Sequence, residues 1–133
     1  MPTLSVANVA ETVSFYQDTL WFSLEVCVGV DMDTLDTEMI DGETYIHATV
    51  FRNEVSFTFL VDEYFKFEIS YLEDCSRGGS VLFYIDVDDI AHAYKELEDK
   101  VEVVKPLETT WYGIREFFIR DNNGYILGFS EQL

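Results

Sequence analysis

One pattern occurs twice in this chain of 133 residues and limits what it can fold into. Asn8 stands where a helix N-cap would, with Glu11 three residues on in capping-box spacing. Val9, Val13, Tyr16 and Leu20 then share one helical face. A shift of 81 residues brings Asn8 onto Asp89, a second N-cap, and Ile90, Tyr94 and Leu97 repeat the same face at the same offsets. Val6 before the first helix matches Val87 before the second. Strand-like segments follow each helix: Ser23–Val30, Thr44–Phe51 and Val55–Val61, then Val101–Val104, Ile114–Arg120 and Tyr125–Phe129. Arg52-Asn53 in the first hairpin falls opposite Arg120-Asp121 in the second, at an offset of 68. The offsets differ by 81 − 68 = 13, the length of the acidic stretch Asp31–Glu43. The first half therefore reads as the second half with an acidic loop inserted.

Each half runs strand, helix, strand, strand, strand. The expected fold is α+β: one domain, 1–133, of two βαβββ modules at 1–62 and 80–133, joined by a linker at 63–79. The linker region carries a short helix before the Arg77-Gly78-Gly79 break. A four-stranded sheet with its helix on one face leaves the other face open. Two such sheets side by side would form a curved eight-stranded cup, a natural ligand site. Asn123-Gly124 suggests a type I′ turn closing the last hairpin. Trp111-Tyr112-Gly113 precedes that hairpin in a loop, where a large aromatic either fills a core gap or lies exposed as a stacking surface.

Composition narrows the function. Hydrophobic residues make up 48% of the chain, ample for a core, yet no apolar run approaches the roughly 18 residues of a membrane span. The N-terminus lacks a basic, then apolar, leader, so a cytoplasmic protein is expected. Cys27 and Cys75 read as two buried free thiols, with a disulfide left open. Eight basic against 26 acidic residues give a net charge of −18, which argues against nucleic acid and favours cationic ligands. The alternative is that the acids simply solvate the surface. No Lys or Arg occurs before Arg52, while Asp31, Asp33, Asp36, Glu38, Asp41 and Glu43 crowd one stretch, read as a flexible loop without EF-hand spacing.

Two segments resemble the glyoxalase/bleomycin resistance/dioxygenase superfamily, also called the vicinal oxygen chelate fold. "PTLSVANVAETVSFYQDTLWF" is similar to the opening of bleomycin resistance proteins, with Phe15-Tyr16 and Asp18-Thr19-Leu20-Trp21-Phe22 at the places of that family's aromatic pair and Asp-x-Leu-Gly-Phe ending. "REFFIRDNNGYILGF" is similar to its Arg-Glu-Phe…Arg-Asp-Pro-x-Gly-Asn hairpin. Trp21 replaces the usual Gly and Asn122 the usual Pro. The resemblance spans nearly the whole chain and speaks more to fold than to function.

The resemblance implies either a divalent metal enzyme or a binding protein. Enzymes of the superfamily hold the metal with His and Glu from the first and last strands of the two modules. Here Thr3 and Ser5, Leu82, Gly128 and the segment Ser56–Phe59 stand at those positions, so no ligand is in place and no metal or cofactor is expected. Of the two histidines, His92 is expected on the solvent face of the second helix and His47 in a strand that can face the cup. Glu116 is weighed as a lone general base, and Arg115 or Arg120 as the partner of a carboxylate across the sheet. The function expected is non-enzymatic sequestration of a cationic, partly aromatic small molecule, such as a bleomycin-type antibiotic. The alternative is a lyase, isomerase or dioxygenase of the same superfamily. By resemblance Trp111 stacks on the ligand, helped by Tyr112 and by the cup-facing Phe57 and Phe59, with Asp31, Asp33 and Asp36 steering the cation and Glu116 nearby. Pro2 matches a Pro near the start of bleomycin-binding proteins, implying a homodimer hooked together through the N-terminal strand.

Overall fold

The computed structural model describes residues 1–32 and 35–132; Asp33 lies outside the described residues. The chain divides into two compact units, residues 1–77 and 78–133. Unit one contains β1 (Thr3–Val6), α1 (Val9–Asp18), β2 (Ser23–Gly29), β3 (Leu35–Asp36), β4 (Tyr45–Arg52), β5 (Val55–Val61) and α2 (Asp62–Glu68), followed by a 3-10 turn at Ser70–Leu72. Its sheet runs β1-β5-β4-β2-β3, with β1 parallel to β5. Unit two contains β6 (Leu82–Asp86), α3 (Ile90–Leu97), β7 (Glu102–Thr109), β8 (Ile114–Arg120) and β9 (Ile126–Gln132). Its sheet runs β6-β9-β8-β7, with β6 parallel to β9.

Unit two is thus βαβββ, and unit one follows the same order with one extra strand and a helix after β5; each has an open sheet. The described residues form nine strands rather than the expected eight. The added one, β3, lies within the acidic stretch and pairs with β2 through Cys27 and Val28. It gives partners to backbone groups that an edge strand would leave unpaired, which explains why part of this stretch is ordered as a strand.

The helix caps form as the sequence suggests. Asn8 Oδ1 accepts from the backbone N–H of Glu11 at 2.9 Å, and Asp89 Oδ1 from that of His92 at 3.1 Å. Val9, Val13, Tyr16 and Leu20 are buried, as are Ile90 and Leu97. Tyr16 centres the core of unit one: the rings of Phe59, Phe22, Phe15 and Phe57 lie 4.9, 5.3, 5.8 and 6.0 Å from its own. In unit two, Phe117 stacks on Phe129 at 5.1 Å and meets Tyr94 of α3 edge-on at 5.0 Å.

Three local expectations change. The last hairpin does not turn through a type I′ pair: Gly124 has φ +97°, but Asn123 is not left-handed. Asp121 Oδ1 instead accepts from the N–H groups of Asn123 and Tyr125, at 2.8 and 2.9 Å, so the acid's own side chain shapes a longer turn. Cys27 is buried but Cys75 is exposed, and both are free thiols, which corrects the expectation of two buried ones. The N-terminal strand is paired within its own chain, where the Pro2 carbonyl accepts from Thr58 N–H at 2.9 Å.

Trp21 occupies a backbone conformation that favours glycine. It ends the α1 segment at φ +63°, a left-handed conformation that costs a side-chain-bearing residue about 1–2 kcal/mol. Arg52 lies 5.7 Å from its ring centroid, a contact that offsets part of that cost. Trp21→Gly is therefore expected to be more stable than Trp21→Ala by about 1 kcal/mol, inverting the usual order of the two residues. Paired thermal melts check this; an alanine variant as stable as the glycine variant would refute the strain.

Candidate functional site

The β7–β8 turn of unit two is braced from within. Thr110 N–H donates to the Ile114 carbonyl at 2.7 Å, Ile114 N–H returns a bond to Thr110 Oγ1 at 3.1 Å, and Gly113 at φ +85° completes the reversal. This turn presents Trp111, 94% exposed, edge-on to half-exposed Tyr112 at 5.2 Å and 87°. Of the two readings of this aromatic, core filler or exposed surface, the structure selects the second.

Strand alternation then sorts the remaining side chains. In unit two Phe117 and Ile119 face α3, so Glu116 and Phe118 face away from it. The register brings Tyr84 of β6 and Lys105 of β7 onto that same face, around Gly128. Glu116 is buried there, 3% exposed. Lys105 Nζ lies 2.8 Å from its Oε1, and Tyr84 Oη donates to its Oε2 at 3.2 Å. Lys105 also pairs with Glu108 at 2.8 Å and sits 4.7 Å from the Phe118 ring centroid. Bonds to Glu108 and Glu116 push the Lys105 ammonium upward. Burial, then the Glu116 carboxylate, raises the Tyr84 phenol. Both carboxylate oxygens of Glu116, weighed above as a lone general base, are thus engaged by Lys105 and Tyr84. The arginine expected to pair across the sheet is Arg120, 3.7 Å from exposed Glu102.

Unit one carries two depressions lined by acidic side chains. Asp31, Asp36 and Glu43 line an open depression floored by Tyr45 and Ile40, with the Tyr45 hydroxyl accepting from Ile40 N–H at 2.8 Å. A second depression beside Phe22 is lined by Asp18, Glu38 and Asp41. Phe57 and Phe59 correct an expectation. Their rings, 2% and 0% exposed, are closed into the core against Tyr16, so they are not available to a ligand. The opposite face of that sheet is polar instead, with Thr49 and Thr58 hydroxyls 3.1 Å apart.

His92 is exposed. His47 shares the polar sheet face with Thr49 by alternation, and its Nδ1 is buried with no hydrogen-bond partner. Burial lowers its pKa. The unfolded chain therefore binds the proton first as pH falls below about 6.5. Stability from neutral His47 is full above that value and declines as pH falls toward the folded pKa. Thermal melts between about pH 7.5 and 5.5 are expected to fall more steeply for wild type than for His47→Phe. Parallel slopes would show that the ring is as solvated in the folded chain as in the unfolded one.

A divalent metal does not fit these residues. Thr3, Ser5, Leu82 and Gly128 offer no imidazole or carboxylate, and among the described residues no three His, Cys, Asp or Glu side chains are grouped to hold an ion. A Cβ on Gly128 would lie 3.1 Å from Phe118 and 3.2 Å from Tyr84, so aromatic rings crowd the place where a ligand side chain would stand. Sequence reading missed Tyr84, Lys105 and Glu108. Alternation in β6 puts Tyr84 on a face with Leu82, a signal that was available, but Lys105 and Glu108 depend on a β7–β8 register with two irregularities.

The profile of the Glyoxalase/Bleomycin resistance protein/Dioxygenase superfamily matches residues 2–129. Among solved structures, a protein of unknown function from Agrobacterium tumefaciens is 21% identical with a TM-score of 0.72, covering 99% of this chain and 91% of that one. The bleomycin-binding protein of bleomycin-producing Streptomyces verticillus, complexed with copper(II)-bleomycin, is 22% identical with a TM-score of 0.59, covering 99% and 93%. TnmS3, an antibiotic binding protein from a Streptomyces species, is 17% identical with a TM-score of 0.64, covering 98% and 92%. No curated protein sequence matches. No described helix is long and apolar enough to cross a membrane.

Proposed function

The chain belongs to the Glyoxalase/Bleomycin resistance protein/Dioxygenase superfamily, and from that premise we propose that it is a binding protein, not an enzyme, and captures a cationic small molecule with a flat aromatic part. The observation that carries this reading is Trp111: a 94% exposed indole on a braced turn, beside a second exposed ring. Leaving such a surface in water costs free energy that a stacking ligand recovers. The net charge of −18, with carboxylates around both depressions of unit one, raises the local concentration of cations. Two structural neighbours are described as binding bleomycin and an antibiotic, which supports a ligand of the bleomycin type. The empty metal-ligand positions weigh against the enzymes of the superfamily. The protein acts as a homodimer through the segment around Pro2, and light scattering showing only monomer at micromolar concentration would remove that part.

Titration with bleomycin, followed by tryptophan fluorescence at about 20 mM and about 0.5 M salt, tests the reading. Screening lengths shrink from roughly 20 Å to about 4 Å over that range, so affinity is expected to fall clearly while the stacking contribution persists. If neither bleomycin nor any other cationic antibiotic in a thermal-shift panel binds at either salt, the acidity is surface solvation and the reading fails.

A further inference from the structure

Lys105 is held as a ligand would be. Its ammonium contacts Glu116 Oε1 and Glu108 Oε1, each at 2.8 Å, and faces the Phe118 ring at 4.7 Å. Tyr84 stands edge-on to Phe118 at 5.8 Å and ties down the other oxygen of Glu116. Carboxylates and an aromatic face around one ammonium make the arrangement by which organic cations are recognised, whatever molecule carries the charge. The parts differ in mobility. The Glu116 side chain is 4% exposed and fixed by Tyr84, whereas Lys105 is 30% exposed on a flexible four-carbon stem. Gly128 adds no side chain between the two rings.

We propose that this cage is a binding site for the ammonium group of a ligand, and that Lys105 is its resident occupant, which swings out as the ligand's cation enters. The proposal rests on the reading of the protein as a cation binder and names where the charge would be held. An exchange is the only inexpensive way to use the site. Stripping the buried Glu116 carboxylate of its cation leaves an uncompensated charge, but replacing one ammonium by another does not. The departing Lys105 keeps solvent and the half-exposed Glu108 as partners. Glu108 and Thr109 of β7 pair with Glu116 and Arg115 of β8, so the cage lies towards the end of the hairpin whose turn carries Trp111 and Tyr112. A molecule bearing both an ammonium group and a flat ring would then engage both features.

Methylammonium chloride, compared with sodium chloride at equal ionic strength, serves as the probe. Lys105→Met keeps most of the stem and removes the resident charge. This variant is expected to bind methylammonium on the order of tenfold or more tightly than wild type, and to gain thermal stability from it, the equivalent of one ammonium–carboxylate contact no longer contested. Adding Glu116→Gln to Lys105→Met is expected to abolish the gain. Equal affinity in wild type and Lys105→Met, or a gain that survives Glu116→Gln, would overturn the proposal. If Lys105→Met does not fold, the Lys105 ε-methylene resonances of wild type decide: they should shift as the probe saturates, and unchanged resonances overturn the exchange. Bleomycin titration of the same proteins separates this from the function proposed above. Methylammonium rescue without bleomycin binding leaves the cage standing and removes the antibiotic reading. Bleomycin binding that is indifferent to Lys105→Met does the reverse.

Discussion

Tyr16→Ala is expected to destabilise the protein by about 3–5 kcal/mol, the range for removing a large buried aromatic. Tyr16 is fully buried, and its ring touches four other rings contributed by α1, the segment after it, and β5. The surrounding side chains cannot close such a gap cheaply, because Phe57 and Phe59 are fixed on β5 by pairing with β4. A loss of that size approaches the total stability of many domains. Tyr16→Phe keeps the ring and is expected to lose much less. Urea denaturation of the three proteins, read by circular dichroism, checks the order. An alanine variant within about 1 kcal/mol of wild type would show that the cluster is loosely packed.

The same cluster shows which parts of the fold were legible. The caps at Asn8 and Asp89 and the apolar faces behind them depend on residues within two turns of each other, so sequence exposes them directly. β5 and β8 form over the segments their alternation suggests. The face to which each alternating set points is a tertiary matter. Phe57 and Phe59 share a face by period two, but α1 decides that it is the inner one. Ser56 and Thr58, small and polar between them, carried that information, since a strand covered by a helix turns its bulkier apolar side inward. β3 was hidden for another reason. Leu35–Asp36 has no pattern of its own and is a strand only because the edge of β2 supplies partners. The Lys105–Glu116 contact was hidden because both shifts in the β7–β8 register flank Lys105, so counting from the turn does not bring the two residues together.

Trp111→Ala is expected to reverse the pattern of Tyr16→Ala, costing binding and sparing the fold. With 94% of the residue exposed, its removal takes away almost no buried area, and surface changes of this kind stay within about 0.5 kcal/mol. The turn that presents it is braced by Thr110, Gly113 and Ile114 and does not need the indole. Affinity is another matter. A cation or flat ring stacked on an indole gains roughly 0.5–2 kcal/mol, and more when the contact is desolvated, so a loss of about tenfold in the binding of bleomycin is expected. The two tryptophans allow the effect to be localised. Trp21, 39% exposed under Arg52, reports on unit one, and Trp111 reports on the turn. Quenching by ligand should persist in Trp21→Phe and largely disappear in Trp111→Phe. Unfolding of Trp111→Ala would mean that the indole is covered in solution, by a second copy of the chain or otherwise. Unchanged affinity in a folded Trp111→Ala would move the aromatic contact elsewhere, with half-exposed Tyr84 on the open face of unit two the next side chain to replace.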